Sequence, residues 1–464
     1  MRRLCALALF ALGSGCSAGP DYRPPALPAA AAGPFVSRLA QSHPAGAPVD
    51  RWWRLYDDPL LDQLIERAFA ANTNLRVALA NLTRARAVFT QSRGARLPFA
   101  EGSGGAGVGG AAFGGLVAGP SGQNWSAQSA LSVGWEADLF GRVGRTIESS
   151  RADAQAVEAA ADMVRVAVAA ETARSYADAC GYAAAGETAR ESLAAVNESL
   201  RVVRAQESAG TVSRFDLERA ELAAATAAAA IPPLETRRQA ALYELAALIG
   251  EVPANVPAGA QKCTVAPSPT GPFPIGDGSS LLRRRPDLRE AERRLAADTA
   301  RIGVATADLY PRISFAGGGN SFRGDGLSGS SSTFSLGPLL SWSFPNIPAA
   351  RARIAQAEAQ SAASVAAFEG RVLAALKEVE QALTTYHNEI GRHDLLAAAR
   401  RRAESAYRLA DANYRAGAIS YLDLLVAQRE LLDARASVAA SSQLLGSLRI
   451  DLFKALGGGW GSAL

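Results

Sequence analysis

The chain has 464 residues, 48% of them hydrophobic but only 7% aromatic, and a formal net charge of +4. That length and apolar content support a large core, while so small a charge leaves no electrostatic footprint for a nucleic acid. With His43, His387 and His393 as the only histidines, neither a zinc cluster nor a Ser-His-Asp set is credible, so no catalytic residue, cofactor or metal is expected.

Arg2 and Arg3 open the chain, and Leu4 to Leu12 form a short apolar run ending in small residues, the pattern of a secretory signal over residues 1–15. The run is too short to cross a bilayer as a helix, and no later window reaches the roughly 18 uncharged apolar residues a span requires. Any membrane crossing therefore falls to strands. Cys16 stands where the leader ends, before a Pro-rich arm over 16–58. It is either the first residue of the mature chain or part of a leader cut near Ala18.

From residue 59 the chain repeats itself. With a shift of 213, Leu75, Arg76, Ala78, Leu82, Ala87 and Pro98 fall on Leu288, Arg289, Ala291, Leu295, Ala300 and Pro311. With a shift of 207, Trp135, Ala209, Gly210, Ser213, Asp216, Leu217 and Gly250 fall on Trp342, Ala416, Gly417, Ser420, Asp423, Leu424 and Gly457. Repeat 1 covers 59–249, a linker 250–285, repeat 2 286–457, and a tail 458–464. Each repeat predicts a helix (59–96; 286–309) running into a proline, a strand, a Gly/Ser loop, a second strand, a very long helix (142–208; 348–415), a glycine turn and a return helix (213–249; 420–456). Alanine, the strongest helix former, dominates the long segments. Pro286 and Pro348 suit first turns, Gly210 and Gly417 helix ends.

The second strands alternate cleanly. Trp125, Ala127, Leu131, Val133, Trp135 and Leu139 share one face, against Asn124, Ser126, Gln128, Ser132 and Glu136 on the other. In repeat 2, Phe334, Leu336, Leu340, Trp342 and Phe344 alternate with Thr333, Ser335, Gly337, Ser341 and Ser343, and Pro338 suggests a bulge or strand edge. Period two over this length fits a wall with lipid on one side and water on the other; a half-buried soluble hairpin is the alternative. Four strands cannot close a barrel, and an open edge cannot stand in hydrocarbon, so chains must share one. Two chains give eight strands and a filled interior, whereas three give twelve and a lumen. A 67-residue helix reaches about 100 Å, the span of a periplasm-crossing tube.

Several motifs carry no chemistry. The glycine patterns beginning at Gly102 and Gly105 are followed by more Gly, Ala and a Pro instead of a helix, so they form no phosphate cradle. Arg283 to Arg285 form a helix-entry cluster that pairs with acids.

The stretches "CSAGPDYRPP", "WWRLYDDPLLDQLIERAFAANTNLRVALA", "WEADLFGRV", "IPPLETRRQAALYELAALIG", "LLRRRPDLREAERRLAADTARIGVATADLYPRI" and "KALGGGW" resemble, in order and nearly end to end, the TolC-like outer-membrane efflux proteins of the NodT-type lipoprotein branch. The resemblance implies mixed α and transmembrane β structure: a homotrimeric twelve-stranded outer-membrane barrel, four strands per chain, continuous with a long periplasmic α-helical barrel. It also implies an equatorial zone built from the termini and the linker. Its partners would be a periplasmic adaptor (membrane fusion) protein, an inner-membrane transporter such as an RND pump, and outer-membrane lipid. The implied function is the exit duct of a tripartite pump; protein secretion, or a non-conducting helical lipoprotein, are the alternatives. Ser14 and Gly15 suit a lipoprotein peptidase and make Cys16 the lipid anchor, although Gly13 holds the place where leucine is usual.

By the same resemblance, the turn residues Gly210, Thr211, Val212, Gly417, Ala418 and Ile419 would meet the adaptor, with helix-turn sterics the alternative reading of the glycines. Asp216 and Tyr414 resemble a pair that bonds across neighbouring helices in the shut state. Asp423 resembles an inward-pointing acidic ring, with an ordinary helix-end carboxylate as the alternative; Val426 stands where many relatives carry a second aspartate, and Arg429 matches a common arginine. Cys180 lies about 45 Å along the long helix from Gly210, and the return helix climbs about 58 Å to Gly250 shortly before Cys263. These heights are compatible with a disulfide stapling the linker to the helix wall, against two buried free thiols.

Overall fold

The structure, a computed structural model, describes residues 17–26, 29–37, 51–109, 124–269, 275–324, 329–343 and 346–458. Cys16, Phe344 and the end of the tail lie outside these. The helices are α1 (Pro59–Ala71), α2 (Thr73–Gly94), α3 (Arg142–Ser208), α4 (Arg214–Ala229), α5 (Ile231–Leu248), α6 (Gly278–Arg284), α7 (Pro286–Ala307), α8 (Ile347–Arg415) and α9 (Tyr421–Ala455). The strands are β1 (Phe99–Gly109), β2 (Asn124–Ala137), β3 (Arg312–Gly324) and β4 (Ser331–Ser341). The chain falls into two compact units, one from Met1–Pro25, Asn81–Glu158 and Glu290–Glu369, the other from Ala26–Ala80, Ala159–Arg289 and Gly370–Leu464. Each repeat contributes to both.

Two expected single helices are each divided. The segment 59–96 breaks at Asn72, which is 3% exposed. Its N–H donates to Ala68 (2.8 Å), its side chain donates to the Leu248 carbonyl (3.0 Å), and its Oδ1 accepts from the Leu75 N–H (3.1 Å). One asparagine thus ends α1 and starts α2. The segment 213–249 breaks at Ala230, because Pro232 and Pro233 lack N–H groups and are tolerated only in a first turn, where α5 begins. The alternation expected to Leu139 ends with β2 at Ala137.

The sheet of the first unit is an antiparallel meander in the order β1-β2-β3-β4. Its register aligns the apolar residues of all four strands: Val108 with Trp125, Ala100 with Val133, Trp135 with Phe315, Ile313 with Leu340 and Gly319 with Phe334. Cross-strand partners share a face, so one side is apolar and exposed, with Phe334 and Leu336 at 91% and 85%. Ser129, Ser321 and Ser332 form a hydroxyl row on this side, which also carries Arg323; Phe99, Phe322 and Leu339 are the large apolar residues on the other, where the Phe99 ring lies over Gly134 at a distance no Cβ would permit. Pro338 makes no bulge; it pairs with Phe315 in an unbroken register, on a strand at the edge of the sheet.

At one end of the sheet Trp135 and Phe315 stack, centroids 5.9 Å apart. The Trp135 indole donates to the Arg96 carbonyl (2.9 Å), and its counterpart Trp342 to the Leu309 carbonyl (3.2 Å). Residues 17–22 are clamped alongside. Arg145, its side chain 5% exposed, donates to the carbonyls of Ala18 (3.2 Å) and Gly19 (3.4 Å) and to Asp21 (2.7 Å). A Cβ at Gly303 would meet the Ala18 carbonyl oxygen at 2.8 Å, so the arm approaches as closely as glycine allows.

The core of the second unit gathers Trp52, Trp53, Leu61, Leu64 and Ile65 against Leu245, Ile450 and Phe453, with Trp52 stacked on Phe453 at 4.7 Å. Arg285, expected to pair with acids, bonds Asp287 (2.8 Å) and Glu378 (2.8 Å) and donates to the Ala455 carbonyl (2.8 Å).

Candidate channel wall and aperture

Local sequence builds both hairpin ends alike. Gly210 and Gly417 take φ of 75° and 72°, the left-handed conformation that ends a helix without a Cβ penalty. The Thr211 N–H then reaches the Gln206 carbonyl (2.9 Å), and the Ala418 N–H the Asn413 carbonyl (2.8 Å). Ser213 and Ser420 start the return helices with capping boxes. Val212 and Tyr414 pack with buried Leu200, Val203, Leu217, Tyr421 and Leu424 in one cluster, which brings the two turns together. Gly210, Thr211, Gly417 and Ala418 are exposed, and Val212 and Ile419 half-buried.

Asp216 and Tyr414 do not bond one another here. Asp216 Oδ2 accepts from the Ser213 hydroxyl (2.7 Å) and N–H (3.3 Å), while the Tyr414 hydroxyl donates to Gln206 Oε1 (2.5 Å). The cap has already engaged that carboxylate oxygen. Burial pushes the Tyr414 hydroxyl up from its ordinary pKa, the Gln206 bond opposing and Asp216 adding to the rise. Burial, with Tyr414 and Asp216 nearby, pushes Tyr421 up to about 12, so both phenols stay neutral at physiological pH. Sequence reasoning missed Gln206, which carries no local signal, and Tyr421, whose place directly after the capping Ser420 was available as one.

Asp423 is exposed and holds the same capping position as Asp216, so the helix-end role is present in this chain. Val426, 49% exposed, and Arg429 line a groove of about 960 Å³ together with Tyr182, Leu222, Leu234 and Leu444. Cys180, fully buried, and Cys263 are joined by a disulfide with S–S 2.02 Å, tying α3 to the segment after α5. Among the described residues no His/Cys/Asp/Glu group is arranged to hold a metal ion, and no helix is long and apolar enough to cross a membrane.

A sheet with one apolar and one polar face, joined to helices of 67 and 69 residues, defines an outer-membrane channel protein. The profile of the outer membrane efflux protein family matches residues 64–251 and 278–458, and the chain belongs to that family. It is 32% identical over 460 residues to nodulation protein T of Rhizobium leguminosarum bv. viciae, covering 99% of this chain and 94% of that protein. To the probable efflux pump outer membrane protein TtgC of Pseudomonas putida it is 30% identical over 467 residues, covering 98% and 95%. The solved structure of the outer-membrane channel OprN superposes with a TM-score of 0.87 at 34% identity, covering 96% of this chain and all of that one. The protein is a channel component of the outer membrane, not an enzyme.

Proposed function

We propose that three copies of this chain form the outer-membrane exit duct of a tripartite efflux pump, which expels small toxic compounds from the periplasm through a periplasmic adaptor and an inner-membrane transporter such as an RND pump. The carrying observation is the four-stranded sheet: apolar outward, polar inward, and with β1 and β4 as edges in the single chain. Unpaired N–H and C=O groups cannot stand in hydrocarbon, so β4 of one copy must pair with β1 of the next until the ring closes. Relatives of Pseudomonas putida named as outer membrane proteins of an antibiotic and of a toluene efflux pump direct the reading to small compounds.

The finer assignments follow from that role. The 59–249 and 286–457 repeats supply one hairpin and one long helical pair each, with 250–285 as the equatorial linker. Cys16 carries the lipid, Gly210 to Val212 and Gly417 to Ile419 present the adaptor surface, and Asp216, Tyr414, Asp423, Val426 and Arg429 surround the aperture. Purified protein should run as a heat-resistant trimer and conduct in planar bilayers. A monomer that inserts no channels would sink the reading, and crosslinked copurification would name the adaptor.

A further inference from the structure

The polar face of the sheet is nearly without net charge. Its ionisable groups are Glu101 on β1, Glu136 on β2 and Arg312 on β3, by the alternation the register fixes. Two of these are neutralised: Arg142 grips Glu136 at 2.9 and 2.5 Å, and Arg312 pairs with Asp308 at 2.5 Å. Glu101 differs. Its side chain is exposed, it takes part in no ion pair among the described residues, and its cross-strand partner is Ser132, whose hydroxyl donates to the Glu101 carbonyl rather than to the carboxylate.

We propose that Glu101 gives the barrel section of the duct a charge preference: its three carboxylates, one from each protomer, place an anionic band on an otherwise balanced barrel wall and favour cations over anions. The inference rests on the trimeric reading above. Twelve strands about 4.8 Å apart and tilted by about 40° close to a backbone radius of about 12 Å. A glutamate pointing inward brings its charge to about 7 Å from the axis, inside the Debye length of about 10 Å at 0.1 M salt. Every ion passing the band meets its field, as in channels built with rings of acidic side chains. At 1 M salt the Debye length shrinks to about 3 Å and the preference should fade.

Reversal potentials across planar bilayers under a potassium chloride gradient test this with wild type, Glu101→Gln and Glu101→Lys. Wild type should favour potassium at 0.1 M salt or below; Glu101→Gln should lower the potassium-over-chloride permeability ratio roughly twofold, and Glu101→Lys should lower it further. Glu101→Cys, modified in the inserted pore by a sulfonate or a trimethylammonium thiol reagent, reads the same charge without relying on how the lysine variant assembles. The sulfonate should raise the ratio and the ammonium lower it. An equal ratio in all of these conducting channels would overturn the role of Glu101 and leave the duct standing, whereas a wild type that forms trimers but never conducts would remove the duct and this inference with it.

Discussion

Asp216 and Asp423, 207 positions apart in the two repeats, hold the same atom in the same bond: each Oδ2 lies 2.7 Å from the hydroxyl of the serine three residues earlier. The duplication has kept the helix start down to single contacts. It also separates two roles that a carboxylate can have at this place, since a cap needs only an acceptor while an acidic ring needs charge. Asp423→Asn should keep the cap and remove the charge, changing conductance or its block by divalent cations. Ser420→Ala should cost about 1 kcal/mol of local helix stability and leave the block as it was. Equal block in wild type and Asp423→Asn would remove the acidic-ring assignment.

The Tyr414 to Gln206 bond links the two hairpins across 208 positions. If that link holds the aperture shut, Tyr414→Phe removes one hydrogen bond, about 1 kcal/mol, and shifts the balance toward open channels roughly fivefold. Single-channel recording should show the open fraction rise. The same should hold for Gln206→Leu, and an unchanged open fraction in both variants counts against the link as a latch.

Much of this was legible in sequence because it is periodic or local. Alanine-rich sequence places the long helix at 142–208, its observed limits, and the alternation of Trp125 to Trp135 sets the two faces of β2. The helix breaks were less visible, although "ANTN" around Asn72 and "IPP" at 231–233 carry stop-and-start chemistry that a longer apolar pattern masked. The Arg145 clamp was illegible. It joins a helix to an irregular arm 124 positions away, and a contact that belongs to no period leaves no trace in spacing. Gln206 escaped for the same reason.

The disulfide closes a loop of 83 residues, for which chain entropy gives about 4.5 kcal/mol. Cys180→Ala with Cys263→Ser should lower the urea midpoint of the detergent-solubilised protein while helical content in the folded state stays the same. Lys262, exposed and next to Cys263, should then be cut faster by trypsin. If the midpoint and the cleavage rate both match wild type, the bond is dispensable for holding this segment.

Glu380 makes the docking of residues 36 and 37 dependent on pH. Its carboxylate accepts the N–H groups of Val36 (2.7 Å) and Ser37 (2.8 Å). Burial pushes its pKa up, but the hydrogen bonds from Ser37 and Val36 outweigh that and hold it below the usual carboxylate value. A depressed folded-state pKa stabilises the docked arm above the unfolded pKa, and that contribution is lost as pH falls through the folded one. Acidification below about pH 4 should therefore release the arm, seen as faster hydrogen exchange in peptides covering 31–37, with little change near neutrality. Glu380→Gln loses the charged acceptor and should show faster exchange already at pH 7, with no further step on acidification. An acid step of the same size in the variant would assign the release to another group.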